Sequence, residues 1–152
     1  MDLGFSFVGL IFLVMLFVPN IVWSNNKPKD YEKYVVNENK VLSILERAGE
    51  VLVVCFSLIL INASYSSIIF LILAFILMIL YEAYWIRYFK SNQTMKDMYS
   101  SFLAIPVAGA TLPVLAFMSL GIYESNVFLI IATIILGVGH IGIHLSHENQ
   151  IQ

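Results

Sequence analysis

Five apolar stretches, each long enough to cross a lipid bilayer as a helix, constrain this chain more than any other feature. A transmembrane helix needs about 20 mostly apolar residues to cross ~30 Å of hydrocarbon. The five stretches are residues 3–23, 41–62, 67–89, 100–122 and 126–145. Because lipid offers no partner to backbone amides, a spanning segment closes its hydrogen bonds within a helix. The sequence therefore predicts an all-α fold, an integral membrane bundle of five transmembrane helices in a single domain.

The overall composition supports this class. Of the 152 residues, 60% are hydrophobic and 12% are charged, and the mean hydropathy is +0.87. A soluble domain is about 45–50% apolar and about 25% charged, so the apolar excess here needs lipid to cover it. The net charge of −2 gives no indication of nucleic-acid binding. The single cysteine, Cys55, excludes disulfides within the chain and cysteine-rich metal sites.

The basic residues predict the orientation of the spans. All eight Lys and Arg lie in or beside two predicted loops, at about 24–40 and 90–99, whereas the N-terminal tail and the other two loops carry none. The positive-inside rule makes the basic side cytoplasmic. We therefore expect a multi-pass plasma-membrane protein with its N-terminus outside and its C-terminus in the cytoplasm. Asp2 stands where a signal peptide carries Lys or Arg, so we interpret the first stretch as a retained helix.

Polar segments and aromatic residues mark the ends of the spans. Asn62-Ala63-Ser64 separates spans two and three, and Tyr123-Glu124-Ser125-Asn126 separates spans four and five. On the basic side, aromatic rings with a polar tip favour the level of the lipid headgroups. We expect an interfacial belt made of Trp23, Tyr31, Tyr34, Tyr81, Tyr84, Trp85, Tyr88 and Tyr99.

Span two opens with charged residues that a bilayer tolerates poorly. Glu46, Arg47 and Glu50 fall within about 100° of one helix face. Only eleven uncharged residues, 51–61, follow before the turn, and they give about 17 Å of helix. Part of the charged turn therefore lies below the headgroups or lines a wet cavity. Two interpretations stay open: Arg47 reaches the interface while it pairs with the glutamates, or the cluster serves a solute or ion.

Glu82 is a second acid inside the apolar region. It lies about seven residues from the basic end of span three, roughly 10 Å deep by helical rise. An acid at that depth requires protonation, an opposite charge or water. Arg87 is five residues away, about 140° around the helix, and is therefore a poor partner. We expect Glu82 to face the interior of the bundle, with Arg47 as its opposite charge.

Span five carries every histidine of the chain on one stripe. Thr133, Gly137, His140, His144 and His147 follow helical spacing. His140 and His144 lie one turn apart, and such pairs ligate one metal in zinc enzymes. Three interpretations stay open: histidines that only meet water or make hydrogen bonds, histidines that titrate or conduct, and metal ligands. The sequence predicts no cofactor, with a divalent metal at His140 and His144 as the alternative.

Prolines and small residues characterise span four and its neighbour. Pro106 and Pro113 each remove a backbone donor from the predicted helix. Gly109, and Gly139 in span five, permit another helix to approach closely. Such interruptions form the broken helices of transporter sites, or they are ordinary kinked packing, and both alternatives stay open.

Two stretches, LFVPNIVWSNNKPKDY and YEAYWIRYF, resemble small polytopic membrane proteins of Gram-positive bacteria. The resemblance covers most of the chain and implies a membrane bundle. It implies no activity, and it assigns no site residues.

Three functions fit the sequence. The favoured one is transport, permeation or binding of a small solute or ion through a cytoplasmic-side Glu/His cluster, whose candidate residues are Glu46, Arg47, Glu50, Glu82, His140 and His144. Another is a membrane-embedded, metal-dependent enzyme, although no nucleophile–base pair or phosphate loop is visible. The third is a non-catalytic accessory subunit of a membrane complex. Because five spans in 152 residues leave little room for an enclosed path, we expect a homo-oligomer or a membrane partner protein.

Overall fold

The computed structural model describes residues 3–61 and 64–151, and five long helices form its framework. The described elements are β1 (Leu3–Phe5), α1 (Phe7–Ser24), α2 (Glu32–Val35), α3 (Lys40–Leu58), β2 (Ile59–Ile61), α4 (Ile68–Phe89), α5 (Met95–Met98), α6 (Ala108–Tyr123) and α7 (Val127–Ile151). The predicted helical class is confirmed. The predictions that involve Asp2, Asn62 and Ala63 lie outside the described residues.

Three of the long helices, α1, α4 and α7, are long and apolar enough to cross a membrane. Their composition indicates a membrane protein. Helix α6 is apolar but has 16 residues, which is about 24 Å of helix. Helix α3 has 19 residues and carries four charged side chains, Lys40, Glu46, Arg47 and Glu50.

The helix order is a ring, α1–α3–α7–α6–α4, in which α1 touches α3 and α4 and closes the ring. The most extensive contacts are α3 with α7 and α4 with α6. Helix α6 also touches α1 and α3, and ten of its 16 residues are buried. A helix that is apolar on all sides is typical of the centre of a bundle.

Successive long helices run in alternating directions, which gives the bundle two ends. The end that we call the strand end contains the β1–β2 pair and the α6–α7 turn, since Ser6 N bonds Leu58 O and Ser66 N bonds Tyr123 O. The histidine end contains His140, His144 and the first loop. At the strand end, residues 3–5 and 59–61 pair as antiparallel strands, although the spans predicted helix there.

Glycines bring α3 and α7 into backbone contact. A Cβ added to Gly139 would lie 2.3 Å from the Glu46 backbone nitrogen, and one added to Gly49 would lie 2.4 Å from Leu136 Cα. No side chain fits at such distances, so the two helices cross at close range. Gly109 is similarly covered, because its Cβ would lie 2.6 Å from the Tyr84 ring.

The fourth predicted span begins later than predicted. Helix α6 starts at Ala108, and residues 100–107 form turns and irregular chain. A proline disfavours helical conformation in the residue before it, which stops the helix from extending back through Pro106. Pro106 therefore lies outside α6 and does not kink it, contrary to the prediction. Pro113 lies inside α6 and is buried.

The aromatic residues of α4 face the interior of the bundle instead of forming a headgroup belt. The buried rings are Tyr81, Tyr84, Trp85 and Tyr88. The Tyr84 hydroxyl donates to Met98 O at 2.7 Å, and the Tyr88 hydroxyl donates to Asn26 O at 2.9 Å. These bonds satisfy the buried hydroxyls and join α4 to α5 and to the chain after α1.

Candidate functional site

Glu46 of α3 meets His140 and His144 of α7 at the histidine end. Glu46 Oε1 lies 2.5 Å from His140 Nδ1, and the two imidazole rings are 4.5 Å apart between centroids. One ligand-type atom from each of the three residues lies within 4.8 Å of the others. Helical spacing puts both imidazoles on one face of α7, and the close contact at Gly139 brings α3 onto that face. We call these three residues the Glu/His cluster.

Tyr99, which directly follows α5, supports the cluster from behind. Its hydroxyl lies 2.7 Å from His144 Nδ1 and 3.3 Å from His147 Nδ1. Glu38 Oε1 lies 3.0 Å from His147 Nε2, off the axis of the N–H bond. Burial raises the pKa of Tyr99, so its hydroxyl keeps its proton. A continuous row of polar side chains therefore runs from the first loop to His144.

The cluster forms part of the wall of a cavity of about 830 Å³ between the five long helices. We call this the central cavity. Its polar wall includes Lys27, Glu46, Arg47, Glu50, His140 and His144, and its aromatic wall includes Phe17, Trp23, Tyr31, Tyr81, Trp85 and Phe117. Cavities of several hundred Å³ with an apolar lining and a few polar groups are typical of small-molecule sites.

A second cavity of about 320 Å³, which we call the loop cavity, lies beneath the first loop. Glu46, Arg47 and His144 line it as well as the central cavity. Its other polar residues include Glu32, Glu38 and His147. The Glu/His cluster therefore stands at the border between the two cavities.

Tyr31 belongs to the lining of both cavities. Burial, together with the nearby carboxylates of Glu38 and Glu46, raises the pKa of Tyr31 to about 12. The Tyr31 hydroxyl is thus a neutral donor and acceptor at physiological pH.

Glu82 does not join the cluster. Within the part of the chain that the structure describes, it lines neither cavity and makes no ion pair, and its Oε1 is buried without a hydrogen-bond partner. The expected pair with Arg47 is absent from the described residues. Helix α4 packs mainly on α6 and α1 and turns Tyr81 and Trp85 toward the central cavity, which places Glu82 about 100° away from Tyr81 around the helix.

The other candidate residues take different places. Arg47 and Glu50 line the central cavity, as do Gly109 and Pro113. Tyr99 and Glu38 were missed as site residues, because they come from two loops that only the fold brings together. Their shared position on the basic side of the sequence was the available signal.

A second polar cluster, also missed, lies at the strand end. Ser6 Oγ donates to Glu124 Oε1 at 2.5 Å. Asn126 Nδ2 donates to Phe56 O and Ile59 O, each at 2.9 Å. Glu124 and Asn126 are each 1% exposed. Burial raises the pKa of Glu124, against the opposing effect of the Ser6 hydrogen bond. We call Ser6, Glu124 and Asn126 the polar clasp, since they join α1, α3 and the α6–α7 turn.

Comparison with protein-family models, curated proteins and solved structures finds no match for this chain. No relative therefore indicates an activity or a ligand. The geometry of the Glu/His cluster and of the two cavities is the basis for the functional argument.

Proposed function

We propose that this chain is a five-span membrane protein that binds a small solute or ion in its central cavity and exchanges it through the Glu/His cluster. One observation carries the proposal: within an apolar bundle, Glu46 and His144 line both cavities. Polar side chains inside a membrane bundle are costly and commonly mark a substrate or ion path.

The alternating helix directions support five crossings with the histidine end in the cytoplasm. All eight basic residues belong to the loops and helix turns at the histidine end, which the positive-inside rule assigns to the cytoplasm. The short helix α6 is compatible with crossing, because other helices surround it and relieve it of matching the lipid thickness. The N-terminus then lies outside the cell.

The walls of the central cavity suit a solute with both polar and apolar parts, or a hydrated cation. Glu46 and Glu50 offer negative charge beside the positive charges of Lys27 and Arg47, while Trp23 and Trp85 offer flat apolar surface. In the described residues the polar clasp lines neither cavity, which supports a path that opens toward the histidine end. A homo-oligomer or a membrane partner protein would complete a path across the bilayer.

A membrane-embedded metal enzyme is the second candidate. Three ligand-type side chains beside a cavity of about 830 Å³ favour it, because catalytic metal sites keep a position open for substrate. Turnover in addition to binding would separate this function from the first.

Reconstitution into liposomes tests the proposal. Flux would be measured with entrapped dyes for protons and for divalent cations, and ligand binding by thermal shift against a panel of small molecules. We expect flux or ligand stabilisation with the wild type and at least a tenfold loss with Glu46→Gln. Glu148→Gln, an acid of α7 that lines neither cavity, is the matched control and should behave as wild type. Liposomes no leakier than protein-free ones, together with no stabilising ligand, would contradict the proposal.

A further inference from the structure

We infer that Glu46, His140 and His144 bind a divalent transition-metal ion, with Zn²⁺ as the best chemical match. The ion sits at the border of the two cavities and is backed by the row Tyr99–His147–Glu38. The inference rests on the proposed function, because it names the ion that this cavity exchanges.

The donor set selects the class of metal. Two imidazoles and one carboxylate match the ligand types of open zinc sites. Imidazole nitrogen suits Zn²⁺, Co²⁺, Ni²⁺ and Cu²⁺, whereas Mg²⁺ and Ca²⁺ prefer oxygen ligands. A Glu/His/His set therefore discriminates against the abundant hard cations.

The distances are within reach of metal coordination. Ligand atoms about 2.0–2.1 Å from a tetrahedral zinc lie about 3.3–3.5 Å from one another. In the structure one ligand-type atom of each of the three residues lies within 4.8 Å of the others, and the Glu46–His140 contact of 2.5 Å would open as the ion enters. Rotations of side chains suffice, because the contact at Gly139 already holds the two backbones together.

The outer row determines which imidazole nitrogen of His144 is free. An ionised carboxylate accepts but does not donate, so Glu38 Oε1, which lies 3.0 Å from His147 Nε2 although off the axis of its N–H bond, favours the His147 tautomer with its proton on Nε2. His147 Nδ1 then accepts from the Tyr99 hydroxyl, and Tyr99 accepts from His144 Nδ1–H. His144 Nε2 is left with a lone pair for a metal.

Glu46 has the same effect on His140. Its Oε1 accepts from His140 Nδ1–H at 2.5 Å, so His140 Nε2 is also free. Hydrogen bonds from the non-ligating nitrogen to a carboxylate or hydroxyl are the usual support of metal-binding histidines. In the metal-free protein, Tyr99 thus orients His144 and Glu46 orients His140; on metal binding, the Glu46 carboxylate moves from His140 Nδ1 to the ion.

The site leaves room for an exchangeable ligand. Three protein ligands leave a fourth tetrahedral position, which zinc sites of the open kind give to water or substrate. All three residues line the central cavity, so that position faces a space where an ion or its counter-ligand can enter.

Titration of the tag-free protein in detergent with Zn²⁺, followed by calorimetry, tests the inference. We expect one ion per chain. The neutral variants His140→Gln and His144→Gln should each weaken binding at least 100-fold, whereas Glu148→Gln, which changes an acid that lines neither cavity, should change it less than threefold. Co²⁺ should give visible d–d absorption that Zn²⁺ displaces. Melting curves without metal identify any histidine variant that fails to fold. In that case Glu46→Gln, which removes the third proposed ligand, should weaken Zn²⁺ binding instead.

Tyr99→Phe tests the outer row, since it removes the hydroxyl and keeps the ring. We expect 10–100-fold weaker Zn²⁺ binding and an altered Co²⁺ spectrum, with a melting temperature close to wild type. Binding that is unchanged in His144→Gln and Tyr99→Phe would overturn the inference, as would no binding at micromolar Zn²⁺. Glu46-dependent flux of protons or another solute without Zn²⁺ binding would overturn the metal inference but not the proposed function. Zn²⁺ binding without any flux would support the metal inference and count against transport.

Discussion

The two ends of the bundle bury polar side chains in different ways. At the strand end, Asn126 bonds to backbone carbonyls of α3 and the strand that follows it, and neither cavity adjoins the polar clasp. At the histidine end, Glu46, His140 and His144 face one another beside both a large and a small cavity. Asn126 is held by its bonds to backbone, and the Ser6–Glu124 pair has no adjoining cavity, whereas the side chains of the Glu/His cluster bond to one another beside two cavities and can exchange those bonds for a ligand. Burial of polar groups alone therefore does not indicate a binding site; the partners and the adjoining volume do.

The largest expected effect on stability comes from a substitution that separates the helices at the histidine end. In Gly139→Ala, the added Cβ would meet the Glu46 backbone nitrogen at 2.3 Å and Leu42 O at 2.7 Å, which forces α3 and α7 apart. We expect a loss of about 2–3 kcal/mol in unfolding free energy, with weaker metal binding in the same variant. Chemical unfolding measures the first effect and calorimetry the second.

Gly137→Ala is the matched control for that experiment, because its Cβ would meet only the Val114 side chain, at 3.1 Å. It should lose less than half as much stability. Equal stability of Gly139→Ala and wild type would show that the helix crossing is looser than described here.

A smaller effect on the unfolding free energy is expected at the polar clasp. Its dependence on pH is opposite to that of a salt-bridged carboxylate. Burial raises the pKa of Glu124 in the folded state, so the stability that this group contributes is present below its unfolded pKa and is lost as the pH rises through the folded value. Glu124→Gln does not titrate. We expect the variant and the wild type to have similar unfolding free energies in acid. Toward neutral pH the variant should become the more stable of the two, by about 1–2 kcal/mol in unfolding free energy.

Melting curves of the two proteins between pH 4.5 and 8 provide the measurement, and Zn²⁺ affinity should be unchanged in the variant. A wild type that gains stability over Glu124→Gln as the pH rises would mean that the carboxylate is favoured in its ionised form, and the clasp would need another partner.

The smallest effect is expected at Glu82, which belongs to neither end cluster. Because it makes no ion pair among the described residues, Glu82→Gln should change the unfolding free energy by less than about 1 kcal/mol. A double-mutant cycle with Arg47→Met should give a coupling within about 0.5 kcal/mol of zero. A coupling of about 3–5 kcal/mol, as for a buried pair, would restore the interpretation of Glu82 as the partner of Arg47.

The helical framework could be predicted because long apolar stretches have few structural alternatives. The residues at which the spans begin and end could not be predicted in the same way. Pairing of residues 3–5 with 59–61 is a contact across more than fifty residues, and no local pattern encodes it. Pro106 did carry a local signal. Proline is tolerated in the first turn of a helix or in the chain before the helix, but it is disfavoured in the helix interior.

The candidate site was predicted in part for a similar reason. The spacing of His140 and His144 is local, so their shared face follows from the helix alone. Their meeting with Glu46 depends on the α3–α7 crossing, which Gly49 and Gly139 permit but do not specify. Tyr99 was assigned to the headgroup belt, because composition cannot distinguish an aromatic ring at the lipid surface from one inside the bundle.

X-ray absorption of the Zn²⁺-loaded protein tests the central claim most directly, namely that the histidine end is a ligand site. We predict a first shell of nitrogen and oxygen at about 2.0–2.1 Å, with the outer-shell scattering of two imidazoles. His144→Gln should reduce that scattering to one imidazole. A shell of oxygen without imidazole would contradict the account. So would sulfur at about 2.3 Å, which would place the ion at Cys55 on another wall of the same cavity.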